Sequence, residues 1–378
     1  MKAIYLDNAA TTMIDAEVLS VMHAASLENY GNPSSTHQFG RKAKSAIETA
    51  RKNIAKHFNV SASEIIFTSG GTEADNLILQ NAVFNLGVQR IISSKIEHHA
   101  VLHTCEFLEK TNGIQLDFVQ LDAQGNIDLQ HLETLLATSD KKTLISLMLI
   151  NNEIGNLLST HEVCELSNKY EALFHSDAVQ AVGHYKIDLQ QTPIDFLVAS
   201  AHKFHGPKGV GFAYFKKGFG IMPLFHGGNQ EKGARSSTEN VHGILGMEKA
   251  LEIACKNLEN DKKYINTIKK YFIDELQFHF KNCAFNGTSS DLNKSAYTIL
   301  NVRFPIKNDL LLFSLDMAGI AVSGGSACQS GSNKGSHVLR EILTHGEANE
   351  TSIRFSFSKF TTKEEIDFTI VKLKELLK

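Results

Sequence analysis

The sequence predicts an α/β protein organised around a mostly parallel central sheet. Three observations carry this expectation. Apolar runs rich in Ile, Val, Leu and Phe recur through roughly the first 250 residues, and several are continuous rather than alternating, as strands covered on both faces require. Segments of helical period stand between them. Glycine-rich or polar stretches follow several of the runs, at the strand ends where open sheets hold their ligands.

The candidate strands are Ile65–Thr68, Arg90–Ser93, Leu144–Ile150, Ala172–Ser176, Phe196–Ala199 and Gly209–Phe215. Gln38–His57 reads as a helix, with Ala43, Ile47, Ala50, Ile54 and the adjoining Phe58 along one face. Val241 to Leu276 is a long amphipathic segment able to bridge two domains. Beyond it, Ala296–Phe304 and Ser352–Ser356 read as strands. Thr362 and Glu365 have capping-box spacing at the start of a last helix that carries Ile366, Ile370, Leu373 and Leu377. We therefore expect a large domain at 15–258 and a smaller one made of 259–378 together with residues 1–14.

Composition narrows the function. The chain has 378 residues, 42% hydrophobic and 21% charged, and 38 basic against 41 acidic residues give a net charge of −3. No basic block points to nucleic acid. No apolar run reaches the ~18 residues of a membrane span, and MKAIYLDNAATT lacks a signal-peptide apolar region, so a cytoplasmic protein is expected. The five cysteines, Cys105, Cys164, Cys255, Cys283 and Cys328, are scattered and form no CxxC pair, which argues against a disulfide framework or zinc knuckle. Four of them are expected to pack. Cys328 differs: SGGSACQSGSN (323–333) sets it among four serines and three glycines, a composition that presents a thiol rather than burying it. His98, His99 and His103 cluster, as do His202 and His205, but no HExxH pattern accompanies them. No metal is expected, and His99 and His103 are read as surface or packing residues.

Three stretches carry chemistry. IIFTSGGTEADN (65–76) runs from a strand through Ser-Gly-Gly-Thr into a helix. Unsatisfied N–H groups at a helix N-terminus hold phosphates, although an ordinary strand–helix turn fits these residues equally well. SAHKFHGPKGVG (200–211) places Lys203 at the end of a buried run. It is either a surface lysine with a buried stem or an amine depressed in pKa for covalent use. FHSDAVQA (174–181) ends another run with Asp177 and, one turn on, Gln180, a helix N-cap or a functional carboxylate. Pyridoxal phosphate (PLP) needs all three parts together: a lysine for the imine, a carboxylate for the ring nitrogen and donors for the phosphate.

With those residues in place, the chain resembles the NifS/IscS-type cysteine desulfurases of the class V, PLP-dependent fold type I enzymes. The resemblance runs through YLDNAATT (5–12), NYGNPSSTH (29–37), SGGTEADN, EHHAVLH (97–103), NNEIG (151–155), SDAVQA, SAHKFHGPKGVG, RSSTEN (235–240), SGGSACQSGS and SIRFSFSKFTT (352–362). It implies that Lys203 forms the imine with PLP, Asp177 pairs with the ring nitrogen, Gln180 bonds the ring hydroxyl and His98 stacks on the ring and relays a proton. It implies Gly71, Thr72, Ser200 and His202 as phosphate ligands, with Thr238 completing the phosphate site of the neighbouring subunit in a homodimer. Asn152 and Arg354 would bind the substrate L-cysteine. Cys328 would accept its sulfur as a persulfide, for delivery to acceptors such as an iron–sulfur scaffold protein or the tRNA thiolation machinery. Selenocysteine lyase or another class V activity is the nearby alternative, and a non-catalytic PLP-binding sulfur relay the distant one. Ser237 stands where the family often has glycine, which is tolerable unless the backbone there takes a positive φ. Ser358 and Lys359 replace a common Gly-Arg.

Overall fold

The computed structural model describes residues 3–324 and 335–377; Cys328 lies outside the described residues. Twelve strands occur among these residues. They are β1 (Ile4–Tyr5), β2 (Ile65–Thr68), β3 (Arg90–Ser93), β4 (Gln115–Phe118), β5 (Thr143–Ser146), β6 (Leu173–Asp177), β7 (Phe196–Ser200), β8 (Gly211–Phe215), β9 (Ala284–Phe285), β10 (Ile299–Phe304), β11 (Ile320–Ala321) and β12 (Thr351–Ser356). The α-helices are α1 (Ala16–Glu28), α2 (Gln38–His57), α3 (Gly71–Phe84), α4 (His99–Asn112), α5 (Leu129–Ala137), α6 (Thr160–Lys169), α7 (Val241–His279), α8 (Leu311–Met317), α9 (His337–Ile342) and α10 (Lys363–Leu376).

Seven strands form the central sheet in the order β2-β8-β7-β6-β5-β3-β4. The pairs from β7 through β6, β5 and β3 to β4 are parallel, while β8 runs antiparallel to both β2 and β7. The continuous apolar runs have a direct explanation. Alternate residues enter different cores: Ile65, Phe67, Leu197 and Ala199 pack on one side, and Ile66, Phe196 and Val198 on the other. No residue of β7 faces water.

A separate apolar cluster gathers Ile4, Leu6, Ile265, Phe272, Leu300, Phe355 and Leu373. It covers the three-stranded antiparallel sheet β12-β10-β9. The N-terminal strand β1 pairs in parallel with β11, so the two chain extremes meet here. Helix α7 spans both cores, with Ile244 and Met247 buried in one and Ile268 and Phe272 in the other. The capping box at Thr362 and Glu365 starts α10 as the spacing implies.

Several boundaries differ from expectation for identifiable reasons. The run Leu144–Ile150 leaves regular pairing after Ser146, although Leu147 and Leu149 still donate to the carbonyls of His175 and Asp177. Edge strand β4 has four half-buried residues and no apolar run to announce it. Cys105 and Cys164 are buried, but Cys255 lies on the exposed side of α7 instead of packing. Among the described residues, no helix is long and apolar enough to cross a membrane.

Candidate active site

The parallel strands β5, β6 and β7 end together, and their ends build the floor of an open cavity of about 200 Å³. Gly71, Thr72, His98, Asn152, Asp177, Gln180, Ser200, His202, Lys203 and Arg354 all line it. Ten candidate residues, drawn from distant parts of the chain, thus meet at one place. Thr238 does not join them. It is exposed and borders a second cavity of about 170 Å³ with Ser69, Glu231 and Arg235.

Each side chain is placed by an identifiable element. Asp177 closes β6, is 5% exposed, and accepts from the Val179 N–H at 2.9 Å. Burial pushes its carboxyl upward, and His98, the Val179 N–H and Lys203 oppose that shift. Lys203 ends the tight turn Ala201–Lys203 that follows β7. Its Nζ donates to the carbonyls of Ala9 (2.6 Å) and Ala10 (2.8 Å). Gln180 Nε2 reaches the same Ala9 carbonyl at 2.9 Å. The YLDNAATT segment therefore supplies the main-chain oxygens that aim both side chains. Sequence reasoning quoted that segment without giving it this role.

The phosphate side is a helix start with no side-chain cap. Gly70 precedes α3 with φ +153°, a conformation few other residues tolerate. A Cβ on Gly71 would come within 2.8 Å of Val179 Cγ2, so only glycine leaves the first turn of α3 open toward the cavity. Ser200 sits beside this turn, its Oγ 3.5 Å from where a Gly70 Cβ would stand. His202 Nδ1 is 3.1 Å from Thr11 Oγ1, and burial lowers its pKa to about 4. His98 caps α4, its Nδ1 accepting from the Ala100 N–H at 3.1 Å.

Arg354 is 1% exposed. Its Nη2 donates to Asp7 Oδ1 and its Nη1 to the Asn152 carbonyl, both at 2.8 Å. Its Nε is buried and has no hydrogen-bond partner among the described residues. Both ends of the segment carrying Cys328 are tied to this neighbourhood. Ser323 exchanges main-chain hydrogen bonds with Arg354 at 3.2 and 2.7 Å. Ser336, which caps α9, donates its hydroxyl to the fully buried Glu153 next to Asn152.

His99 is half-buried and packs among other histidines. It stacks on His103 at 4.7 Å and packs against His337 at 4.3 Å. Burial, then the neighbouring histidines, lower its pKa to about 4. Ser237 has φ +107°, the one backbone condition under which replacing glycine by serine carries strain. Lys359 forms an ion pair with Asp15 at 2.7 Å, so the Ser358-Lys359 departure is structurally satisfied.

These residues fit PLP. A cavity-lining lysine, a buried carboxylate, an uncapped glycine-cradled helix start and a buried arginine with a spare donor are the groups an aldehyde, a ring nitrogen, a phosphate and an amino-acid carboxylate require. The relatives agree. The class-V aminotransferase family model matches residues 4–368. A cysteine desulfurase IscS of Dictyoglomus turgidum is 41% identical, covering 100% of this chain and 95% of that protein. A putative cysteine desulfurase IscS 1 of Bacillus subtilis is 41% identical over 97% of this chain and 96% of that one. Among solved structures, a NifS-like protein superposes with a TM-score of 0.90 at 37% identity, covering 99% of both chains. A NifS-like protein from Rickettsia africae gives 0.88 at 33% identity, again over 99% of both. The cavity, the sheet that builds it and these full-length matches place the chain in the class-V aminotransferases, as a member of their PLP-dependent NifS/IscS-type cysteine desulfurase family.

Proposed function

We propose that this enzyme converts L-cysteine to L-alanine and leaves the sulfur on Cys328 as a persulfide. The observation that carries the reading is the convergence of Lys203, Asp177 and Arg354 on one cavity, with the Cys328 segment tied to its rim through Ser323 and Ser336. In this reading residues 15–258 hold the cofactor, and residues 259–378 with 1–14 hold the sulfur acceptor.

PLP, when bound, supplies a sink for the electron pair left at the substrate α-carbon. The chain's residues do the rest. Arg354 takes the substrate carboxylate, helped by Asn152. Asp7 and the Asn152 carbonyl fix the guanidinium's plane, so orientation precedes binding. Lys203 would hold the cofactor, and its amine, released when substrate binds, would move the α-proton. The Ala9 and Ala10 carbonyls hold Nζ on one side of the cavity. Asp177 would balance the ring nitrogen's charge, Gln180 would address the ring hydroxyl, and Gly71, Thr72, Ser200 and His202 would take the phosphate. His98 would serve the ring side of the cavity as a proton relay. The Cys328 thiolate attacks the substrate sulfur. The new S–S bond forms as the C–S bond breaks, and the β-carbon gains a proton to give alanine. An ordinary thiol, with a pKa of ~8.5, is only slightly ionised at neutral pH, so in this reading either its surroundings lower that pKa or a base such as His98 takes its proton.

Thr238 is exposed and borders a different cavity, which supports a homodimer in which it reaches the phosphate site of a second copy. The sulfur then passes to an acceptor protein, with iron–sulfur scaffolds and tRNA thiolation enzymes as the chemical classes that consume a persulfide. The test is to incubate purified enzyme with L-cysteine, quantify alanine, and map sulfur by mass spectrometry. One added sulfur at Cys328, lost in Cys328→Ala together with alanine formation, is expected. Persulfide on another cysteine, or alanine at an undiminished rate in Cys328→Ala, overturns the assignment.

A further inference from the structure

Below Asp177 lies a second buried carboxyl that the proposed reaction does not use. Asp75 sits on α3, one turn after Gly71, and is 1% exposed. His175 lies two residues before Asp177 on β6 and is fully buried. Strand geometry puts both side chains on the same face. Asp75 Oδ1 and His175 Nε2 are 3.4 Å apart, and neither has a hydrogen-bond partner of normal geometry among the described residues. The other ring nitrogen, His175 Nδ1, lies 2.9 Å from Ser146 Oγ. That contact follows from parallel register, because Ser146 on β5 pairs with His175. Ligand atoms of Asp75, Asp177 and His98 all fall within 4.8 Å of one another.

Two carboxylates this close cannot both stay ionised in a dry site. Their surroundings decide which one keeps the proton. Asp177 accepts from the Val179 N–H and has the Lys203 amine nearby, both of which favour its ionised form. Burial, then Asp177 and Glu97, push the Asp75 carboxyl upward, and its Oδ1 has no hydrogen-bond partner among the described residues. Burial also keeps His175 neutral, with its pKa lowered to about 3.

We propose that Asp75 is a protonated carboxyl that donates to His175 Nε2, so that this neutral pair leaves Asp177 the only anion facing the cofactor's ring nitrogen. His175 then carries its own proton on Nδ1 and gives it to Ser146 Oγ. Asp75 and His175 are positioning residues: they set the charge and orientation that Asp177 presents. The inference rests on the assignment of Asp177 to the ring nitrogen.

The test uses the holoenzyme and follows the pH midpoint of the bound cofactor's visible absorbance band, together with cofactor retention on dialysis. Asp75→Asn keeps a neutral donor and shifts the midpoint by less than about 0.3 unit. Asp75→Leu and His175→Phe remove the hydrogen bond and weaken retention about tenfold. A fall of about one unit or more in Asp75→Asn means that a negative charge was removed, and overturns the proposal. So does unchanged retention in both Asp75→Leu and His175→Phe. The ¹³C carboxyl resonance of Asp75 in the wild-type holoenzyme needs no variant. It should stay at a protonated shift from pH 6 to 8; an ionised shift overturns the proposal. Asp177→Asn separates the two levels. If it alters neither midpoint nor retention, the ring-nitrogen assignment has failed, whatever Asp75 does.

Discussion

The cavity floor and the segment from 225 to 240 are held by opposite means. The floor is made of strand ends. Register sets Ser146 against His175, hydrophobic packing buries β7 on both faces, and Asp177 and Lys203 inherit their positions from the sheet. The 225–240 segment has almost no regular structure. Three of its non-glycine residues take positive φ, Glu231 at 46°, Lys232 at 57° and Ser237 at 107°. Two ion pairs hold it instead. Arg51 grips Glu231 through two hydrogen bonds of 2.6 and 2.7 Å, and Arg235 grips Glu73 on α3 at 2.8 and 3.2 Å. Glu231 also accepts from the Phe67 N–H at 2.9 Å, which fastens the segment to β2. A site that serves its own chain can be built from the sheet. A residue such as Thr238, offered outward, needs a separate scaffold, and charge provides it.

The sharpest way to break that contrast is to remove one charge. Glu231→Leu takes from the Arg51 guanidinium, only 5% exposed in its side chain, its buried acid partner and leaves it the more exposed Glu48. We expect a loss of about 3–5 kcal/mol in denaturant unfolding, with the 225–240 segment the first region to exchange its amides. A loss below about 1 kcal/mol would mean that packing holds the segment after all.

The floor answers to pH in a way the segment does not. Burial, then the nearby Asp177, raises the Glu97 carboxyl from 4.5 to about 8, against hydrogen bonds from the Met148 N–H and Ser94. Between those two values the folded protein holds a proton that the unfolded chain has released. Stability from this group is therefore complete below about pH 4.5 and declines as pH rises toward 8, by about 1.4 kcal/mol per unit. Glu97→Gln keeps an acceptor for Met148 and should flatten the decline. Urea midpoints at pH 5 and pH 8 check it, and an unchanged slope in the variant would assign the decline to other groups.

The smallest expected effect lies at Ser237. Glycine accepts φ +107° without the clash a Cβ brings, so Ser237→Gly should stabilise the protein by about 1 kcal/mol or less. A destabilised variant would show that the Ser237 side chain contributes contacts worth more than the strain.

Much of this was legible before any coordinates. Ile65–Thr68, Arg90–Ser93 and Gln38–His57 have the boundaries their patterns indicate, because a continuous apolar run or a clean stripe leaves little choice. Lys203 and Asp177 drew notice because each follows or ends such a run, whereas Ser200 entered only through the family resemblance. Asp75 and His175 could not. Their meaning depends on a neighbour that parallel register brings close, and a lone buried acid looks like any other acid in the sequence. Asp7 was equally silent, since its partner Arg354 is 347 positions away. Strand β4 was missed because Gln115 and Asp117 interrupt the apolar signal at a sheet edge.

Helix α7 deserves a mechanical reading. Its 39 residues make a rod about 58 Å long at 1.5 Å per residue. Its buried residues fall in two sets, Gly243 to Leu251 and Ile265 to Leu276, and none of the residues from Glu252 to Tyr264 is buried. The rod thus rests on two bearings, and the span between them is held more lightly, by half-buried residues such as Ile253 and by the Tyr264 hydroxyl on the Thr361 carbonyl. Any rotation of the C-terminal core against the sheet must be taken up as bending or twisting of that span, because each end is clamped in its own apolar cluster. The stiffness of those middle turns, far from the cavity, limits how far Arg354 can travel relative to Lys203.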